Sequence, residues 1–360
     1  MKIGIVGLPN AGKSTLFNAL TRAGAEAANY PFTTVEPNVA VVPVPDERLE
    51  RVAETLRAAP VVPETIVFHD IAGLVRGAHE GEGLGNRFLG NIRETDAIVH
   101  VVRAHEDAQV VHPEGRVDPM ADVETVETEL LFADLEQTER RLERVSKEAK
   151  SLAPPLVAEE AWLKRVIEAL REGRTVRTVP PPDAAPDALR QLHPLTAKPV
   201  LYVVNVAEGT GAEVPPALAE HAAATGARAV AVSARIEAEL GELEGDDAAG
   251  MRAELGAPDS GLGVLVREAF ALLDLISFFT ADTAREARAH AVTRGTTAWQ
   301  AAGKVHTDIQ RGFVRAEVVP WDALVDGGGY AGARDRGALR LEGRDYVVRD
   351  GDLVNVRFTP

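Results

Sequence analysis

The chain has 360 residues, 45% of them hydrophobic and 26% charged, which supports two or three globular domains with sizeable cores. Its 39 Lys and Arg against 55 Asp and Glu give a net charge of −16, which excludes a basic field over the whole surface, so any RNA contact must be local. The lack of cysteine excludes disulfides, thiolate zinc sites and a cysteine nucleophile.

Residues 2–6 are a short apolar run that predicts a strand. Met-Lys-Ile-Gly-Ile-Val passes straight into a glycine-rich loop, which is not a signal-peptide layout. No apolar run reaches the roughly 18 residues of a membrane span, and a cytoplasmic protein is expected. Gly7-Leu8-Pro9-Asn10-Ala11-Gly12-Lys13-Ser14 then fits G-x-x-x-x-G-K-[ST], between the strand and a helix starting at Lys13. Such a loop curls so that several amides face one phosphate, and the helix N-terminus adds positive potential. Lys13 is expected on the β- and γ-phosphates and Ser14 on magnesium.

Tyr30-Pro31-Phe32-Thr33-Thr34 follows the first helix, and a threonine hydroxyl there can complete magnesium coordination. Strands are predicted at Val39–Val44 and Thr65–Ile71, the second ending in Asp70-Ile71-Ala72-Gly73. Asp70 can hold the metal through water, and the Gly73 amide can meet the γ-phosphate. Related hydrolases place a water-orienting glutamine next; here it is Leu74, which cannot do this. Two substitutes are visible. Asn10 could help hold potassium beside the phosphates. His112, in the polar stretch Ala104–Pro119 after a strand at Ala97–Val102, could position or deprotonate water, or be a solvated loop histidine.

Between about 122 and 195 the strand pattern stops. Leu131, Leu135, Leu142, Val145, Ala149 and Leu152 recur at helical steps with Thr138 as a polar gap, and Val157–Leu170 supplies a second helix. This predicts an inserted helical hairpin. Arg140, Arg141, Arg144, Lys147 and Lys150 along it, with Arg285, Arg288 and Arg294 further on, could face rRNA phosphates. Interleaved glutamates offer the alternative of a solvated, ion-paired helix.

Strands resume at Val200–Val204 and Ala227–Val232. The first leads into Asn205-Val206-Ala207-Glu208, where guanine readers carry Asn-Lys-x-Asp. With Val206 for lysine and Glu208 for aspartate, the acceptor for the guanine N–H edge is altered, which points to adenine. Ser233-Ala234 after the next strand can back the base. Beyond Leu275, strands at Phe313–Val319, Asp345–Val348 and Leu353–Phe358, and a loop marked by Gly327–Gly329 and Gly332, predict a small α+β domain. The implied organisation is a discontinuous P-loop domain (1–121 and 197–274), a helical insertion (122–196) and a C-terminal domain (275–360).

Gly7–Thr15, Asn29–Asn38, Asp70–Val75, Gly81–Asn86, Asn205–Glu208, Ala301–Glu317 and Leu341–Tyr346 together resemble the YchF-type Obg-like ATPases, over nearly the whole chain. The resemblance implies an α/β fold: a Ras-like P-loop domain, a coiled-coil insertion and a C-terminal TGS domain of β-grasp type. It implies ATP binding in preference to GTP, slow magnesium-dependent and potassium-activated hydrolysis, and association with ribosomes. It puts nucleotide contacts at Asn10, Ala11, Gly12, Lys13, Ser14 and Thr15, adenine contacts at Asn205–Glu208, and magnesium ligands at Ser14 and Thr34. Leu74 and a mobile-loop histidine at His112 also match. Ala11 stands where valine is commoner, and Val179–Pro186 matches loosely. A nucleotide-gated scaffold with incidental hydrolysis, or a dual ATP/GTP hydrolase, is the alternative.

Overall fold

The structure, a computed structural model, describes every residue except 27–37, 72–83, 108–109, 150–152, 208–212, 244–246, 248–249, 252–259 and 360. The chain groups into two units, Met1–Val41 with Val67–Leu265, and Val42–Ile66 with Val266–Pro360. In chain order the first half runs β1 (Lys2–Val6), α1 (Lys13–Glu26), β2 (Val39–Pro43), α2 (Glu47–Leu56), β3 (Val61–Val62), β4 (Thr65–Asp70), α3 (Leu84–Arg93), β5 (Ala97–Arg103), α4 (Pro119–Glu148) and α5 (Pro154–Arg171). Then come α6 (Ala188–Leu192), β6 (Val200–Asn205), α7 (Pro216–Thr225), β7 (Arg228–Val232), α8 (Ala234–Leu240) and α9 (Gly261–Leu272).

One sheet has the order β2-β4-β1-β5-β6-β7. β1 pairs in parallel with β4 and β5, β5 with β6, and β6 with β7. All seven residues of β5 are buried, which is why its sequence, His100 and Arg103 apart, is apolar throughout rather than alternating. The glycine-rich loop leaves the C-terminal end of β1, where the strand order reverses; ligands of open α/β sheets bind at such a switch point.

The inserted hairpin is α4 against α5. Pro119 stands in the first turn of α4, and the Asp118 side chain caps it by accepting from Ala121 N at 3.1 Å. Leu131, Leu135 and Leu142 pack on a core that includes Val145, Trp162, Leu163 and Val166. Thr138, the polar gap, is fully buried, and its hydroxyl donates to Asp134 O at 2.6 Å. The buried Asp134 carboxylate accepts from Leu195 N, Thr196 N and Thr196 Oγ1, each at 2.8 Å. These bonds fasten the chain to α4 as it leaves the insertion.

The second unit adds β8 (Leu275–Ala281), β9 (Ala287–Thr293), α10 (Ala298–Val305), α11 (Thr307–Arg311), β10 (Phe313–Pro320), α12 (Trp321–Asp326), α13 (Tyr330–Asp335), β11 (Arg340–Glu342) and β12 (Asp352–Phe358). Its sheet has the order β11-β10-β12-β8-β9-β3. Residues 42–66, which the sequence reading placed in the P-loop domain, group with this unit. Leu49, Val52, Ala53 and Leu56 of α2 pack with Phe279, Val319, Leu324 and Leu353, and β3 pairs in parallel with β9.

Two expectations for this region need correction. Asp345–Val348 is a turn with a single bridge from Val347 to Thr297; the strand lies earlier, at β11. Tyr346 N turns back onto Gly343 O, and its hydroxyl donates to Asp352 Oδ2 at 2.7 Å, which holds the turn closed. Gly327 and Gly332 do not mark an open loop. They touch where α12 and α13 meet, and a Cβ on Gly332 would overlap Gly327 O.

Candidate nucleotide site

The loop after β1 needs its glycines for space as well as for angle. Gly7 has φ 149°, and a Cβ there would overlap the Val101 carbonyl oxygen of β5. Gly12 has φ 101°, and a Cβ there would overlap Asn205 Nδ2. Asn10 takes φ 63°, a left-handed conformation that asparagine tolerates better than most residues. The Lys13 ammonium folds back over the loop and donates to Gly7 O at 3.0 Å and Leu8 O at 2.7 Å. Burial lowers the Lys13 pKa to about 8, opposed by the Asp70 carboxylate. Burial raises the Asp70 pKa, opposed by Lys13.

Asn205 joins three loops. Its Nδ2 donates to Ala11 O at 3.1 Å, and its Oδ1 accepts from Ala234 N at 3.1 Å. Its carbonyl accepts from Ala104 N at 3.0 Å. The side chain is buried at 8% exposure, so these bonds are formed away from water, where leaving them unmade is costly. Ser233 caps α8 beside it.

These loops surround a cavity of about 920 Å³ lined by Asn10, Gly12, Lys13, Ser14, Thr15, Asn205, Val206, Ala207, Ser233 and Ala234. That volume suits a drug-sized ligand or a nucleotide. Nearly all the described residues that the sequence singled out therefore meet in one place. Ala11 lies just beneath, buried, with its carbonyl held by Asn205. Asp70 lines a neighbouring cavity of about 230 Å³ with Asn38, His69 and Thr95. Thr34, Gly73 and Glu208, with Leu74, lie outside the described residues.

The polar stretch Ala104–Pro119, expected to fold over the site, does contribute lining residues, but Arg103 beside it was not singled out from the sequence. Arg103, His105, Glu106, Asp107 and Val110 also line the cavity. Arg103 is buried, and its guanidinium donates to His105 O at 2.9 Å, Val110 O at 3.1 Å and Asp107 O at 3.5 Å. One planar fork thus folds the segment around itself. The signal available in sequence was an arginine ending a strand that is apolar apart from His100.

His112 is not among the cavity-lining residues. It is buried, its Nε2 lies 2.9 Å from Asp122 Oδ2, and its Nδ1 accepts from Glu114 N at 3.2 Å. It is therefore no solvated loop histidine. Asn10 Nδ2 donates to Val111 O at 3.0 Å, which leaves the Asn10 Oδ1 as its cation-binding atom.

The donor set fits magnesium. Ser14 offers a hydroxyl in the first turn of α1 and Asp70 a carboxylate at the end of β4, both hard oxygen ligands. Among the described residues no three His, Cys, Asp or Glu form a metal cage. Magnesium held largely through substrate phosphates and water needs none.

The arginines proposed for RNA are largely paired. Arg140 meets Glu136 and Arg141 meets Glu159, while Arg285, Arg288 and Arg294 meet Asp282, Glu286 and Asp274. No described helix is long and apolar enough to cross a membrane.

Comparison with known proteins agrees with this geometry. A family described as "50S ribosome-binding GTPase" matches residues 2–140. The YchF-GTPase_C family, described as "Protein of unknown function (DUF933)", matches residues 275–359. The ribosome-binding ATPase YchF of Bacillus subtilis is 47% identical, covering 99% of this chain and 98% of its own. That of Haemophilus influenzae is 46% identical, covering 99% of each. The structure of the Schizosaccharomyces pombe YchF GTPase is similar with a TM-score of 0.87 at 34% identity, over 99% of this chain and 97% of that one. A GTP binding protein from Pyrococcus horikoshii OT3, 22% identical with a TM-score of 0.65 over 100% of both chains, supports the fold alone.

Proposed function

The chain belongs to the YchF family, and on that footing we propose that it is an ATPase that prefers ATP to GTP, turns over slowly and acts on ribosomes as a nucleotide-dependent switch in translation or stress response. Its relatives are named both ATPase and GTPase, so the base is the open question. The observation that carries the reading is the segment after β6. Asn205 spends its side chain on Ala11 and Ala234, Val206 stands where guanine readers have lysine, and Glu208 replaces the aspartate. The site keeps the strut of a guanine reader, with the acceptor for the guanine N–H edge altered from aspartate to the longer Glu208. Adenine has no N1–H and loses nothing by this. Calorimetric titration with ATP and GTP in magnesium buffer tests it: ATP binds at least severalfold tighter, and equal affinities refute the base argument.

The residue roles extend this proposal. The amides of residues 10–15 cradle the phosphates at the N-terminus of α1. Lys13 leaves the Gly7 and Leu8 carbonyls for the β- and γ-phosphates, an exchange of two neutral acceptors for charged ones. Ser14 and Thr34 would hold magnesium, with Asp70 supporting it and the Gly73 amide serving the γ-phosphate. Magnesium, when bound, neutralises charge on the transferred group. The Asn10 Oδ1 would help hold potassium, so turnover is expected to be faster in potassium than in sodium; identical rates remove Asn10 from this role. Leu74 leaves the attacking water without a glutamine, which makes hydrolysis slow and gives His112 its part.

Ribosome association rests on the named relatives, with the helical region 122–196 and the C-terminal region 275–360 as the proposed contact regions. The cytoplasm is the matching location. Co-sedimentation with ribosomes in ATP tests the association, and recovery in the free fraction alone argues against it.

A further inference from the structure

His112 stands beside the nucleotide cavity but is turned away from it. Val110, two residues earlier, lines that cavity, and Val111 accepts from Asn10 of the phosphate loop at 3.0 Å. The imidazole itself is held at both nitrogens. An amide N–H, that of Glu114, points at Nδ1 from 3.2 Å, so Nδ1 is the acceptor. The ring proton then sits on Nε2 and is donated to Asp122 Oδ2 at 2.9 Å. In this pose neither nitrogen can reach or receive a proton from water.

The partner is built to hold. Asp122 lies in the first turn of α4, is 2% exposed, and its Oδ1 has no hydrogen-bond partner among the described residues. A buried carboxylate with one oxygen unsatisfied depends heavily on the bond that remains. If the imidazole left, Asp122 would stay behind unpaired in a dry position. That asymmetry favours the withdrawn pose.

We propose that Asp122 is a positioning residue that latches His112 away from the triphosphate, and that nucleotide binding draws the Val110–Glu114 stretch off this latch through the Asn10–Val111 hydrogen bond. The inference rests on the reading that His112 serves hydrolysis. The coupling is mechanical. When Lys13 exchanges the Gly7 and Leu8 carbonyls for phosphate, the loop carrying Asn10 must readjust, and Asn10 is tied to the peptide preceding His112. The latch lowers idle turnover and, because ATP binding works against it, weakens ATP binding by the same coupling.

Steady-state ATP hydrolysis by the full chain in magnesium and potassium buffer tests this, with D122A, D122N, H112A and the H112A/D122A pair. D122A raises kcat about tenfold and tightens rather than weakens ATP binding. D122N, which keeps an acceptor oxygen, raises it less, and the double variant turns over like H112A alone. A purely structural role for Asp122 would lower kcat or thermal stability and would not give a gain that depends on His112. If H112A lowers kcat but neither Asp122 variant raises it, the latch is overturned and the role of His112 stands. If H112A turns over like the wild type, the reading beneath the latch is overturned, and the latch with it. D122N keeps a polar side chain at the helix start, so it decides the matter if D122A does not fold.

Discussion

The Nδ2 of Asn205 occupies the space that a side chain on Gly12 would need. The same atom donates to Ala11 O at 3.1 Å, so the base-side motif and the phosphate loop are locked into one piece. Gly12 is thus required twice, once by φ 101° and once by its neighbour.

Replacing either residue should therefore damage phosphate binding, although Asn205 belongs to the base-side motif. N205A removes the bonds to Ala11 O and from Ala234 N and leaves both groups without their partner. At about 1 kcal/mol for each bond, the loss is about 2 kcal/mol of stability, and ATP affinity falls about tenfold. G12A is at least as severe, and adding N205A does not rescue it, because the positive φ remains strained for alanine. Calorimetry and thermal melts on the two single variants and the pair read this out. Wild-type ATP affinity in N205A would show that the strut is dispensable.

Arg103 offers a test that separates the nucleoside wall from the phosphate loop. Its fork onto the His105, Asp107 and Val110 carbonyls shapes this part of the lining, whereas the phosphate cradle is built from residues 10–15. Lysine has a single point charge and cannot serve three carbonyls in one plane. R103K should weaken ATP severalfold and leave tripolyphosphate binding within twofold of wild type. Equal weakening of both ligands would mean that Arg103 supports the whole unit rather than the wall.

The contrast between these two sites explains what could be read from the sequence. Gly7–Ser14, Asp70, Asn205 and Ser233 were legible because each follows an apolar strand, and a parallel sheet brings the C-terminal ends of its strands to one edge. Arg103 was not, since its role depends on three carbonyls that only the folded segment aligns. His112 was visible as a residue type, but its direction was hidden, because Asp122 joins it only once α4 is in place. Residues 42–66 were misplaced for a related reason. An amphipathic helix such as α2 declares that one face is buried but not against what, and the two residues of β3 pair with β9 more than two hundred positions away.

The second unit carries a buried histidine that should govern its acid stability. His290 is stacked on Phe278 with ring centroids 4.9 Å apart, and its Nε2 lies 2.9 Å from Thr280 Oγ1. Burial lowers its pKa from 6.5 to about 4, with Arg288 and Lys304 adding to the effect and Glu64 and Glu286 opposing it. The unfolded chain takes up a proton near pH 6.5, while the folded chain resists it until about 4. Between those values the unfolded state binds more protons, so stability is lost as pH falls through that window and levels off below it. At 1.36 kcal/mol per unit, the whole shift corresponds to about 3 kcal/mol. H290Q removes the titrating group, so its stability should fall less between pH 7 and pH 4.5 than that of the wild type, even if it is less stable at pH 7. Denaturant midpoints of both proteins at the two pH values measure the difference, and parallel pH dependences would assign the acid lability to other groups.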